Sequence, residues 1–165
     1  MKKEDLETGD IIFEKGDGIV AWFIKQFTDS KYSHVALLFN YPHVIHAHLL
    51  GGVYITHIDN LADFDVYRIK GGLNEAEKDA IQKKGLEYID FEYDLLQIFG
   101  YLYKAIFKGD NPLNRPDNVI CNELIERIYN KIGITFRPDI ELGDTTPETL
   151  AESKKLYRPG GKEQK

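Results

Sequence analysis

The chain has 165 residues, 42% of them hydrophobic and 29% charged, with a formal net charge of −6. That length holds one domain with a proper core and is short for two, and the acidic balance argues against nucleic acid as the main partner. The one cysteine, Cys121, excludes an internal disulfide, and no run approaches the roughly 20 apolar residues of a membrane span.

Behind Met1 the segment "KKEDLETGD" has no apolar stretch, so it reads as neither a signal peptide nor an anchor, and a soluble, cytoplasmic protein is expected. "DIIFE" (10–14) is a short apolar run between turn residues and reads as a strand. "GIVAWFIKQFTD" (18–29) then spaces Ile19, Trp22, Phe23, Gln26 and Phe27 as a helix does. From residue 32 the period becomes that of strands: "SHVALLF" (33–39), "HVIHAHLL" (43–50), "GVYITHI" (52–58) and "FDVYRI" (64–69), separated by turn-forming residues. About five strands in a mostly antiparallel meander follow.

The second half reads as helical. "LNEAEKDAIQKKGLEYI" (73–89) has Asn74 as a cap and Glu77 three residues on, the outline of a capping box. The aromatic-rich segment 94–109 ends at Gly109 and leads into a loop, "DNPLNRPDN" (110–118). "CNELIERIYNKIG" (121–133) carries Leu124, Ile125, Ile128 and Ile132 on one stripe, with Gly133 closing the helix. The tail from Lys154 is expected to fray. No repeat or linker divides the chain, so residues 1–165 read as one α+β domain.

Cys121 lies at or just before the first turn of its helix, where the helix dipole and free N–H groups favour a thiolate and can hold an oxyanion. The bland alternative is a buried cysteine that fills space. Five histidines bear on the choice: His34, His43, His46, His48 and His57. His43, after Pro42, reads as a solvated turn residue, and His57 as structural. His34, His46 and His48 share one sheet face, because all three are even-numbered and strands have period two. With Phe39 opposite His43, His34 faces His48; a slip of one residue in each strand brings His46 opposite instead. Either imidazole could orient His34 as the base for a thiol. "HVIHAH" could also ligate zinc, but no carboxylate stands at an obvious position to complete such a site, and no metal or other cofactor is expected.

The ordered elements "GDIIF", "YSHVALLF" and "VICNELI" resemble the permuted papain-like NlpC-type amidases and peptidases, in particular the YiiX-like branch, over roughly residues 8 to 150. The resemblance implies a circularly permuted papain-like fold, with the sheet packed against helices and the histidine strands preceding the cysteine helix. It implies Cys121 as nucleophile, His34 of "YSHV" as general base, and His46 of "VIHA" as third member, where the YiiX-like pattern is similar to "VIEA". The twelve-residue spacing of the two histidines and their His, His, Cys set also resemble the lecithin–retinol acyltransferase group. The main-chain N–H groups of Cys121 and Asn122, with Tyr32 as a further candidate, would bind the oxyanion.

The expected activity is a cysteine amidase or peptidase acting through an acyl-thioester on a peptide, amino-acyl or acylated small substrate. A lipid or thioester acyltransferase or hydrolase, and an inactive binding module on the same fold, are the alternatives.

Overall fold

A computed structural model describes residues 5–16, 30–48, 52–89, 121–142 and 144–160. The helices expected over 18–29 and 94–109, and the loop at 110–118, lie outside these residues. Six strands form one sheet: β1 (Ile11–Glu14), β2 (His34–Asn40), β3 (His43–His48), β4 (Gly52–His57), β5 (Phe64–Ile69) and β6 (Leu156–Tyr157). Their order across the sheet is β4-β3-β2-β1-β5-β6, and every neighbouring pair is antiparallel. The described helices are α1 (Glu75–Glu87), α2 (Cys121–Asn130) and α3 (Pro147–Ala151). Among the described residues no helix is long and apolar enough to cross a membrane.

The strands are apolar on both faces because both are covered. Val35, Leu37, Ile45 and Ala47 join Leu124, Ile125, Ile128 and Tyr129 of α2 and Ile81 of α1 in one core. Ile12, Ala36, Leu38, Val44 and Val66 turn the other way and pack with Leu6 and Ile58. This two-sided burial explains why "VALLF" reads as an unbroken apolar run rather than an alternating one. On α1 the expected capping box is present: Glu77 N–H donates to Asn74 Oδ1 at 2.9 Å, and Asn74 N–H donates to Glu77 Oε2 at 2.8 Å.

Two expectations need correction. The sheet has a sixth strand, and the tail from Lys154 does not simply fray. Leu156 pairs with Ile69 and Tyr157 with Arg68, Leu156 is buried, and Arg158 donates to Asp65. A two-residue strand is too short for any periodicity to announce it, and a buried leucine with a charge clasp is what fixes it.

The start of β1 is anchored from several sides. Gly9 has φ +92°, and a Cβ there would lie 2.3 Å from Leu73 Cδ1 and 3.2 Å from Tyr129 Oη. Tyr129 Oη also donates to the Gly9 carbonyl. Gly9→Ala is therefore expected to cost about 2 kcal/mol, from the left-handed backbone and the contact together. A urea midpoint unchanged from the parent protein would contradict this.

Candidate active site

Cys121 is the first residue of α2 and is only 6% exposed. Three residues earlier in its own stripe than Leu124, it joins the core between the helix and the sheet. Its sulfur lies against the main-chain N–H groups of Val35, Asn122 and Cys121 itself, all of which stabilise a thiolate. The thiol also approaches Asn122 Oδ1 at 3.8 Å. Burial outweighs these N–H groups and, with the charge of Glu14, pushes the thiol up to about 11. Alone, then, this sulfur is a thiol at neutral pH, and a base is needed to make it a nucleophile.

On the other face of the sheet two histidines pair with each other. His34 opens β2 and His46 lies in β3, on the face that also carries Ala36, Leu38 and Val44. His34 Nε2 and His46 Nδ1 are 2.9 Å apart in a hydrogen bond, and the rings stand edge to face with centroids 5.1 Å apart. His46 is 4% exposed and its second ring contact is Tyr54 of β4, at 4.5 Å between centroids. A ring wedged between His34 and Tyr54 has little freedom to turn, so it can fix the orientation of its partner.

The β2–β3 register alone does not make His46 the partner of His34. Leu37↔Ile45 and Leu38↔Val44 set the pairing, and extending it along the strands would put His34 opposite His48. The bond instead runs diagonally, to the residue two positions nearer the turn, a separation that long side chains span. Near the turn the register shifts by one, so that Asn40 rather than Phe39 faces His43. His48 itself pairs with Gly52 of β4.

The two halves meet at β2. Val35 follows His34 directly and precedes the first registered β2–β3 pair, Leu37↔Ile45. Its main-chain N–H is among the groups that favour the Cys121 thiolate. Cys121 thus meets the sheet one residue from His34, where β2 and β3 part.

Glu14 belongs to this group although nothing in its sequence position marked it. The β1–β2 register sets Glu14 opposite His34, and Glu14 Oε2 is 3.9 Å from His34 Nε2. The signal was available only as a strand ending in a carboxylate, which reads equally well as the polar start of a turn.

Asn122, buried beside Cys121, donates through Nδ2 to Thr145 Oγ1 at 2.9 Å and also to the Thr145 carbonyl. Thr145 Oγ1 in turn donates to Glu126 Oε2 at 2.7 Å. This chain ties the first turn of α2 to the segment before α3. Tyr32 is fully buried, but its hydroxyl is directed elsewhere: it donates to Asp65 Oδ2 at 2.8 Å and lies 3.0 Å from the Tyr67 hydroxyl. His43 and His57 are exposed, with their rings 6.0 Å apart, and His57 also pairs with Asp59. Among the described residues no group of three or more His, Cys, Asp or Glu side chains is placed to hold a metal ion.

Comparison with known proteins agrees with this architecture. The family model of the permuted papain-like amidase enzymes, YaeF/YiiX, C92 family, matches residues 5–156. A crystal structure of the metalloprotein yiiX from Escherichia coli O157:H7 shares 18% sequence identity, with 92% of this chain and 94% of that chain covered at a TM-score of 0.68. At that identity the likeness is one of fold. No curated protein matches the chain. From its sheet and the helix that brings Cys121 against β2 to the family match over nearly the whole sequence, the chain belongs to the permuted papain-like amidases of the YaeF/YiiX, C92 family.

Proposed function

We propose that the protein is a cysteine hydrolase that cleaves an amide or isopeptide bond through an acyl-thioester on Cys121. The observation that carries the proposal is the His34–His46 hydrogen bond of 2.9 Å, set one residue from the main-chain N–H that meets the Cys121 sulfur. Since Nε2 of His34 is engaged with His46, Nδ1 is the ring nitrogen that exchanges a proton with the thiol. His34 then holds its own proton on Nε2 and donates it to Nδ1 of His46, which fixes His46 as the Nε2–H tautomer.

In the first step the Cys121 S–H bond breaks, its proton passes to His34 Nδ1, and the sulfur attacks the acyl carbonyl. The N–H groups of Cys121 and Asn122 at the start of α2 bind the developing oxyanion. The imidazolium returns the proton to the leaving amine, and water, activated by the same nitrogen, releases the acid. Tyr32 takes no part, because its hydroxyl is committed to Asp65 and Tyr67. The structural neighbour is called a metalloprotein, but here the facing nitrogens of His34 and His46 share a hydrogen bond rather than leaving both lone pairs to a cation. They do not fit a common metal ion in this arrangement, and no step is derived through one.

The His, His, Cys composition of the site favours one second reading, transfer or hydrolysis of a lipid or thioester acyl group. Intact-mass measurement separates the two. Incubation with peptide amides and isopeptides is expected to leave an acyl adduct on Cys121 that is absent in Cys121→Ala. An adduct formed only from acylated lipids would replace the first reading with the second. No adduct from either class would leave a binding module.

A further inference from the structure

Among the described residues, Glu14 is the one carboxylate that the structure sets beside His34, and the mechanism above does not use it. Three features fix it there. The β1–β2 register places it opposite His34, its Oε1 accepts the Ala62 N–H at 2.6 Å, and its Oε2 points back to lie 3.9 Å from His34 Nε2. Its side chain is 13% exposed and that of His34 15%, so water screens the pair only in part. Its charge also reaches the thiol, where it opposes ionisation.

We propose that Glu14 is a positioning residue of the acyl-transfer site: its carboxylate holds the His34–His46 pair in its orientation and stabilises the positive charge that His34 gains when Cys121 gives up its proton. The inference rests on the assignment of Cys121 and His34 as nucleophile and base. The reason is chemical. His46 orients His34 as a neutral imidazole, but a neutral acceptor does little to offset a full charge on its partner. A carboxylate at this distance does, and it comes from a strand neighbouring β2 rather than from β3.

The balance is simple. The sulfur loses a proton, His34 Nδ1 gains it, and the Nε2–H stays shared with His46 while Glu14 faces the same nitrogen. Among the described residues, the other titratable groups facing this part of the site are Tyr54 of β4 against His46 and Cys121 of α2. Lys15, next in sequence, is turned to Asp65 at 2.8 Å and Asp63 at 3.5 Å, and Glu123 of α2 is paired with Arg127 at 2.7 Å.

An opposite charge at this range raises the midpoint of an imidazole by about one pH unit or more. Glu14→Gln keeps an oxygen for the Ala62 N–H and removes only the charge. Proton NMR of the histidine Cε1–H signals, assigned with His34→Ala, follows the coupled titration of the pair. Glu14→Gln is expected to lower its midpoint by about one unit, and Glu14→Asp to recover most of the difference. A merely structural Glu14 would change the unfolding midpoint but not this titration, so an unmoved titration in Glu14→Gln overturns the inference. The same measurement in Cys121→Ser separates the two claims. Loss of the thiolate is expected to lower the midpoint further, while the Glu14 effect persists. A midpoint that Cys121→Ser leaves unmoved overturns the thiol–imidazole pairing, and the positioning role falls with it.

Discussion

Replacing His34 by alanine is expected to slow alkylation of Cys121 by iodoacetamide at pH 7 by roughly two to three orders of magnitude, since the thiolate is the reacting form. The sign follows from the environment of the sulfur. Burial pushes the thiol up to about 11, and the N–H groups of Val35, Asn122 and Cys121 do not offset it. An acid is protonated below its pKa, so without a base only about one molecule in ten thousand carries a thiolate at pH 7. With His34 present the proton has somewhere to go, and the thiolate forms as one half of an ion pair. The rate profile between pH 5 and 11 shows the difference directly. The parent protein should react well at neutrality, whereas His34→Ala should climb only as the pH nears 11. Because the chain has a single cysteine, the mass increase reports on Cys121 alone. Equal rates in the two proteins at pH 7 would remove His34 from the mechanism.

Arg68→Ala is the largest expected loss of stability, at about 3 kcal/mol. Arg68 Nε donates to Asp10 Oδ1 at 2.7 Å and its NH2 group to Asp10 Oδ2 at 2.8 Å, a two-pronged pair. The same guanidinium reaches Glu7 and the Asp5 carbonyl. Asp10 is 1% exposed, and after the substitution its carboxylate keeps the Glu7 N–H, at 2.8 Å, but no guanidinium. A buried charge stripped of its partner is what makes such a change expensive, rather than the worth of the pair itself. Urea denaturation should show a lower midpoint at an unchanged slope, and Arg68→Lys should recover part of the loss because it restores charge without the fork. A midpoint close to that of the parent would mean that Asp10 finds another cation or takes up a proton.

Much of the fold was legible because local signals agreed with one another. Asn74 and Glu77 announced the start of α1, and the strand-period runs from 33 to 69 matched β2 to β5 within a residue or two. The site was legible only in part. Even numbering put His34 and His46 on one face, but alternation carries no information about the diagonal contact that selects His46 over His48. Family resemblance, not periodicity, pointed to that residue. Glu14 was invisible because its meaning depends on which strand lies beside β1, a fact of topology that the "DIIFE" run does not contain. The buried Glu123 and Glu126 of α2 defied the helical pattern for the same kind of reason. Their partners, Arg127 and Thr145, turn what reads as a solvated face into an interior one.

The order of the site along the chain has a consequence for the newly made protein. Glu14, His34 and His46 all lie in the first three strands, and the two histidines are only twelve residues apart. In the proposed mechanism these residues form the base, and synthesis from the N-terminus delivers them well before the helix that begins at Cys121 has left the ribosome. On the proposed mechanism the sulfur enters a molecule whose proton acceptor is already made, and it is to become nucleophilic only on docking against Val35. Until that moment the nascent chain would carry an ordinary cysteine, and the act of completing the fold would arm it.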